Sequence, residues 1–209
     1  MTQGFSKAIL TSHITFSTGW LGAVTVFLAL AITGLTSNDI QIARSSYIAM
    51  ELSAWFVIVP FCLISLFTGI FQAVATKWGL FKYYWIVVKL FLTIASTVLL
   101  LLHMQPISYL AGVATDSSFS NSQHSGQLID LISKAGAAIL VLLAITTISV
   151  YKPWGKIRLA QTDNNQIINM GTTERIQRKS WTFYTLIGLV FLIVIFILVH
   201  LFGGGMYGH

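Results

Sequence analysis

Five apolar runs dominate the sequence, and each is long enough to cross a lipid bilayer as a helix of about 20 residues. They span approximately Ile9 to Leu35, Leu52 to Ala75, Tyr83 to His103, Leu128 to Val150 and Trp181 to Phe202. Because a backbone in lipid has to satisfy its own hydrogen bonds, these runs are expected to be helices. The sequence therefore predicts an all-α fold, an integral membrane five-helix bundle that forms a single domain over residues 1–209.

The composition agrees with a protein that has the lipid bilayer as its main partner. The chain is 56% hydrophobic and 9% charged, whereas a soluble domain carries about 25% charged residues. The net charge of +6 does not indicate nucleic-acid binding, because most basic residues flank the apolar runs. Cys62 is the single cysteine, which excludes an intramolecular disulfide and a zinc motif.

The basic residues between the runs predict the orientation in the membrane. One side collects nearly all of them: Lys7, Lys77, Lys82, Lys152, Lys156, Arg158, Arg175, Arg178 and Lys179. The positive-inside rule places this side in the cytoplasm, with the N-terminus inside and the C-terminus outside. The segment 105–127 is then an outer loop, and 151–180 is a cytoplasmic loop.

Lys89 lies inside the third apolar run, where a charged side chain costs roughly 3 kcal/mol on insertion scales. Such a residue is by default part of a functional site, and the alternative is that it snorkels towards the cytoplasmic boundary. The rise per helical residue places His13 of the first run at the same depth. We therefore predict a site formed by His13 and Lys89, provided that the first and third helices are neighbours.

His103 and His200 share a depth near the opposite face of the membrane. Histidines at one depth on facing helices are the usual axial ligands of a b-type haem in a bundle, so this pair is a second candidate site. Two alternatives stay open. Both histidines lie near helix ends, where interfacial histidines are common, and the neighbouring Met104 and Met206 would also suit copper, because thioethers select Cu(I).

Two short motifs carry a resemblance to known families. His13, Trp20 and Gly22 form the pattern H-x6-W-x-G, and Trp85, Lys89 and Leu90 form W-x3-K-L. Together they resemble the small haem-associated membrane proteins of the bacterial protoporphyrinogen oxidase type. The first pattern is also similar to that of the copper-resistance D membrane proteins.

The overall likeness is to an uncharacterised bacterial integral membrane family related to both, and it covers about residues 8 to 156. It is carried by the strings TKWGLFKYYWIVVKLFLTIASTVLLLLHMQPI and SVYKPWG. That family has a histidine near the start of the fourth helix, where this chain has Lys134.

The resemblance implies one or two haem b groups in a protein of the bacterial cytoplasmic (inner) membrane. It implies that His13, Trp20 and Lys89 bind the cofactor, with Lys89 also tied to activity. Three functions stay open: a haem-b redox protein in electron transfer or porphyrin oxidation, with a quinone or a redox protein as partner; a copper-handling protein; and a non-catalytic accessory subunit.

Overall fold

The computed structural model describes residues 3–75, 83–116 and 119–152. These residues are almost entirely helical, and no β-strand occurs among them. The main helices are α1 (Gln3–Thr36), α2 (Ile40–Ala75), α3 (Tyr84–Ala114) and α4 (Ser125–Tyr151). A short 3₁₀ turn, Asn121–His124, precedes α4. The predicted fifth helix, 181–202, lies outside the described residues.

All four helices are long and apolar enough to cross a membrane. Their surfaces are inverted relative to those of a soluble protein. Large apolar side chains point outwards, as Phe56 and Leu140 do at 75% and 69% exposure. Polar side chains such as His13 and Thr97 are buried. Because lipid rather than water suits such an exterior, this distribution indicates a multi-pass membrane protein.

The helices form a four-membered ring around a common interior. Helix α1 packs against α2 and α4, and α3 packs against the same two helices. Helices α1 and α3 therefore lie diagonally opposite each other. The predicted site of His13 and Lys89 required the first and third helices to be neighbours, and this condition is wrong. The two side chains meet across the interior instead.

Helix α2 begins at Ile40, well before the predicted start at Leu52. Its N-cap is Asp39, whose carboxylate accepts a hydrogen bond from the backbone N–H of Gln41 at 2.8 Å. The first turns bury one face at helical spacing, formed by Ala43, Ser46, Tyr47 and Met50. This segment is polar enough to escape a search for apolar runs, yet its buried face anchors it to the bundle.

Helix α3 ends at Ala114 rather than at His103, and α4 begins at Ser125, so the prediction of an outer loop over 105–127 is wrong at both ends. Pro106 lies inside the helix. Membrane helices tolerate proline because neighbouring groups satisfy the freed backbone carbonyl. The extension is held by buried residues at helical spacing: Ile107, Leu110, Ala111 and Ala114.

A π-helical turn, Ala54–Ile58, interrupts α2 near its middle. It comes just before Pro60, which has no N–H to donate and whose ring crowds the carbonyl four residues back. The wider turn accommodates this proline. Ala54 and Ile58 are the buried residues of the turn, and both line the smaller of the two cavities described below.

Candidate cofactor site

His13 and Lys89 meet in the interior of the bundle. The Lys89 Nζ atom lies 3.2 Å from the His13 Nε2 atom. His13 is buried and Lys89 is half-buried. The structure thus brings together the two residues that were paired by depth. Their role in binding a cofactor stays a prediction.

The other ring nitrogen of His13 fixes the orientation of the imidazole. Nδ1 lies 3.0 Å from the carbonyl oxygen of Ser65 and 3.2 Å from the hydroxyl oxygen of Thr68. The Thr68 hydroxyl donates to the carbonyl of Ile64 at 2.6 Å, so its oxygen can accept. Since a carbonyl only accepts, Nδ1 carries the proton. In the neutral ring, Nε2 therefore presents its lone pair towards Lys89.

Helix α2 can approach the imidazole closely because residue 69 is a glycine. A Cβ atom there would lie 3.0 Å from His13 Cε1 and 3.4 Å from Nδ1. The backbone beside the ring is tied as well. The Ser17 hydroxyl donates to the His13 carbonyl at 2.6 Å and lies 2.7 Å from the Ser65 hydroxyl. The ring is therefore held both by packing and by hydrogen bonds.

Lys89 has an incomplete set of partners within the described part of the chain. An ammonium group has three N–H donors, and His13 Nε2 is the one acceptor in contact with Nζ. No carboxylate among the described residues is within salt-bridge distance of it. The described acidic residues belong to the other half of the bundle: Asp39, Glu51, Asp116 and Asp130.

A cavity of about 550 Å³ adjoins the pair, and we call it the large cavity. All four helices line it, with polar contributions from His13, Ser65, Gln72, Lys89, Thr146 and Lys152. Its volume falls within the range of about 300–1,000 Å³ that is typical of ligand sites. A histidine with an oriented ring nitrogen beside an interior space of this size fits a haem.

A separate cavity of about 80 Å³, the small cavity, lies nearer the other end of the bundle. Trp20, His103 and Lys134 line it, together with the buried residues of the π-helical turn. An apolar cavity of about 150 Å³ is known to hold a benzene molecule, so the small cavity has no room for a porphyrin. Trp20, predicted to bind the cofactor, thus lines the small cavity and not the large one.

The predicted outer pair is described only in part, because His200 lies outside the described residues. The Nδ1 atom of His103 donates to the carbonyl of Leu99 in its own helix at 2.6 Å. Lys134 forms a 2.6 Å ion pair with Asp130. Within the described ranges, no three His, Cys, Asp or Glu side chains are grouped so that they could hold a metal ion.

The copper alternative also rests partly on residues that the structure does not describe. His200 and Met206 are outside the described ranges, and Met104 is buried in the core. Both the outer histidine pair and the copper alternative therefore stay predictions.

The residues that hold His13 were not singled out in the sequence, although a signal for them exists. In the otherwise apolar run of α2, small or polar residues recur at helical spacing: Ser65, Thr68, Gly69 and Gln72. On α3, Thr93 and Thr97 follow Lys89 at intervals of four residues. A polar stripe on a membrane helix marks the face turned away from lipid. The polar stripes on α2 and α3 therefore indicate the faces that surround His13 and Lys89.

No protein-family model matches this chain, and neither a curated protein nor a solved structure shows significant similarity to it. The likeness to the membrane protoporphyrinogen oxidase and copper-resistance D families therefore depends on the short motifs alone. It stays a prediction.

Proposed function

We propose that this protein binds haem b in the large cavity and has a redox role in the bacterial cytoplasmic membrane. The observation that supports this best is the state of His13. Its Nδ1–H is held by the Ser65 carbonyl, and its Nε2 presents a lone pair towards Lys89 Nζ, 3.2 Å away, at the wall of a cavity of about 550 Å³. Histidines that bind metals are usually oriented by such a hydrogen bond from the other ring nitrogen. Helical bundles commonly hold their cofactors between facing helices.

In this proposal His13 would hold the haem iron through Nε2, once the Lys89 amine turns away from that atom. Lys89 either ligates as a neutral amine or pairs, as a cation, with a propionate. When bound, haem supplies one-electron redox chemistry at a potential that its ligands and surroundings tune. The chain orients the imidazole and places the site within the bilayer. Electron transfer and porphyrin oxidation both fit, with a quinone or a redox protein as the partner.

The wider architecture belongs to the same proposal. The apolar run 181–202 forms a fifth helix, the N-terminus is cytoplasmic and the C-terminus lies outside. A cysteine introduced at Ser118 should then react with a membrane-impermeant maleimide from outside the cell, and one at Asn164 should not. Native Cys62 is fully buried and should stay silent. The reverse labelling pattern would contradict the orientation.

Absorption spectroscopy of the purified protein, reconstituted with haem in detergent, tests the cofactor. We expect a sharp reduced α-band of the b type, and His13→Ala should lower the haem occupancy with normal membrane insertion. Lys89→Met keeps the side-chain length and removes the amine, and it should also weaken binding. His103→Ala is the matched comparison, because His103 lines the other cavity.

The other outcomes would change either the site or the function. Full haem occupancy in His13→Ala, with loss in His103→Ala, would move the site to the outer histidine pair. If Lys89→Met binds haem like the parent protein, Lys89 takes no part in cofactor binding. Copper found by elemental analysis, without haem, would support the metal-handling alternative. If the purified protein contains neither haem nor copper, the result would support an accessory subunit.

A further inference from the structure

The described lining of the large cavity is positively charged. Lys89 and Lys152 both belong to it, and among its described lining residues there is no aspartate or glutamate. A site of this kind attracts anions, because an apolar wall strengthens the field of the two cations. The charge of the lining therefore favours ligands that carry negative groups.

Lys89 is the deeper of the two cations. Its one acceptor among the described residues, His13 Nε2, is uncharged when it presents a lone pair. A half-buried ammonium with donors to spare is costly unless an anion or further acceptors complete its surroundings. Lys89 lines the large cavity, so an anion bound there can complete its surroundings.

Lys152 is positioned by the end of α4. Its backbone adopts the left-handed conformation, with φ of 46°, and its N–H donates to the Ile148 carbonyl at 3.0 Å. The side chain then reaches α3, where the ammonium lies 5.9 Å from the centre of the Trp85 ring. Trp85 also lines the large cavity. The cation–π contact thus keeps a second positive charge at the end of the cavity where α4 finishes.

We infer that the large cavity selects an apolar molecule that carries carboxylate groups, and that Lys89 and Lys152 bind those carboxylates. The inference rests on the proposed function, since haem b carries two propionates. A membrane fatty acid has the same chemistry, a carboxylate on an apolar body. In either case the carboxylate faces the end of the bundle where α4 finishes, and the apolar part lies among the helices.

Binding of metal-free protoporphyrin IX and of its dimethyl ester tests the inference. The two compounds share the ring, and the ester lacks the charges. Quenching of tryptophan fluorescence in a neutral maltoside detergent reports the affinity, and no iron ligation is involved. We expect the parent protein to bind the acid about tenfold more tightly than the ester.

Three lysine variants identify the groups responsible. Lys152→Gln should narrow the preference for the acid by about two- to fivefold, the size expected of an exposed ion pair. Lys89→Met should leave only the part of the preference that Lys152 supplies, about two- to fivefold. Lys89→Arg should retain the full preference, because arginine keeps the charge and does not act as a neutral ligand. Lys7→Gln is the matched control: Lys7 is exposed at the same end of the bundle and does not line the cavity.

Equal affinity for the acid and the ester in the parent protein would overturn the inference. So would an equal loss of preference in Lys7→Gln and Lys152→Gln, which would indicate a general charge effect. If iron haem does not bind through His13 but the acid is still preferred, the proposed function fails and this inference stands. Displacement of the porphyrin by oleate, in the parent protein but not in Lys89→Met, would support it and name a fatty acid as the source of the carboxylate.

Discussion

The close contact between α2 and the His13 ring can be tested by adding a single methyl group. In Gly69→Ala the new Cβ would lie 3.0 Å from Cε1 and 3.4 Å from Nδ1 of His13. The ring has little freedom to withdraw, because Nδ1 is bonded to Ser65 and Thr68. Either these hydrogen bonds lengthen or α2 moves away from α1.

Overpacking of this kind costs about 1–3 kcal/mol, but a helical glycine-to-alanine change also gains about 1 kcal/mol from helix propensity. Gly136→Ala on α4 is the matched control, since its new Cβ would have no neighbour within 4 Å. The helix-propensity gain is common to both variants. Gly69→Ala should therefore be less stable than Gly136→Ala by about 1–3 kcal/mol, or roughly five- to 150-fold in the unfolding equilibrium constant.

Reversible unfolding by SDS in mixed micelles, followed by tryptophan fluorescence, measures this difference. Gly69→Ala should also bind haem more weakly than Gly136→Ala, because the displaced imidazole no longer presents Nε2 in the same position. If the two variants unfold with free energies within about 0.5 kcal/mol of each other, then the ring is not held against α2 as described.

The same unfolding assay checks two further contacts. In Gly19→Ala the new Cβ would lie 2.6 Å from the Phe61 ring, so we expect this variant to be less stable than Gly136→Ala by about 3 kcal/mol, the upper end of the overpacking range. Adding Phe61→Leu should recover part of it, and a double variant whose loss is the sum of the two single losses would argue against the clash. Asp39→Ala removes the hydrogen bond to the Gln41 N–H and should cost about 1 kcal/mol. Asp39→Asn should retain most of the stability, and an equal loss in both variants would point to charge rather than to capping.

The existence of the four described membrane helices follows from the sequence, because hydropathy and bilayer thickness act locally along the chain. The shared depth of His13 and Lys89 follows from it as well, since the rise per helical residue is constant. The positions of the helix ends do not follow from the sequence. The start of α2 at Ile40 depends on a cap and a half-polar buried face, and the continuation of α3 through Pro106 depends on packing against its neighbours.

The tertiary structure alone places α1 and α3 diagonally, so that His13 and Lys89 face each other across the interior. It also separates Trp20 from His13 by assigning them to different cavities. Lipid tails are as apolar as the helices themselves, so an apolar run does not specify which of its faces turns inwards or which helix lies beside it. Those choices are made by close packing at small residues such as Gly69 and by interior hydrogen bonds such as that from His13 to Ser65.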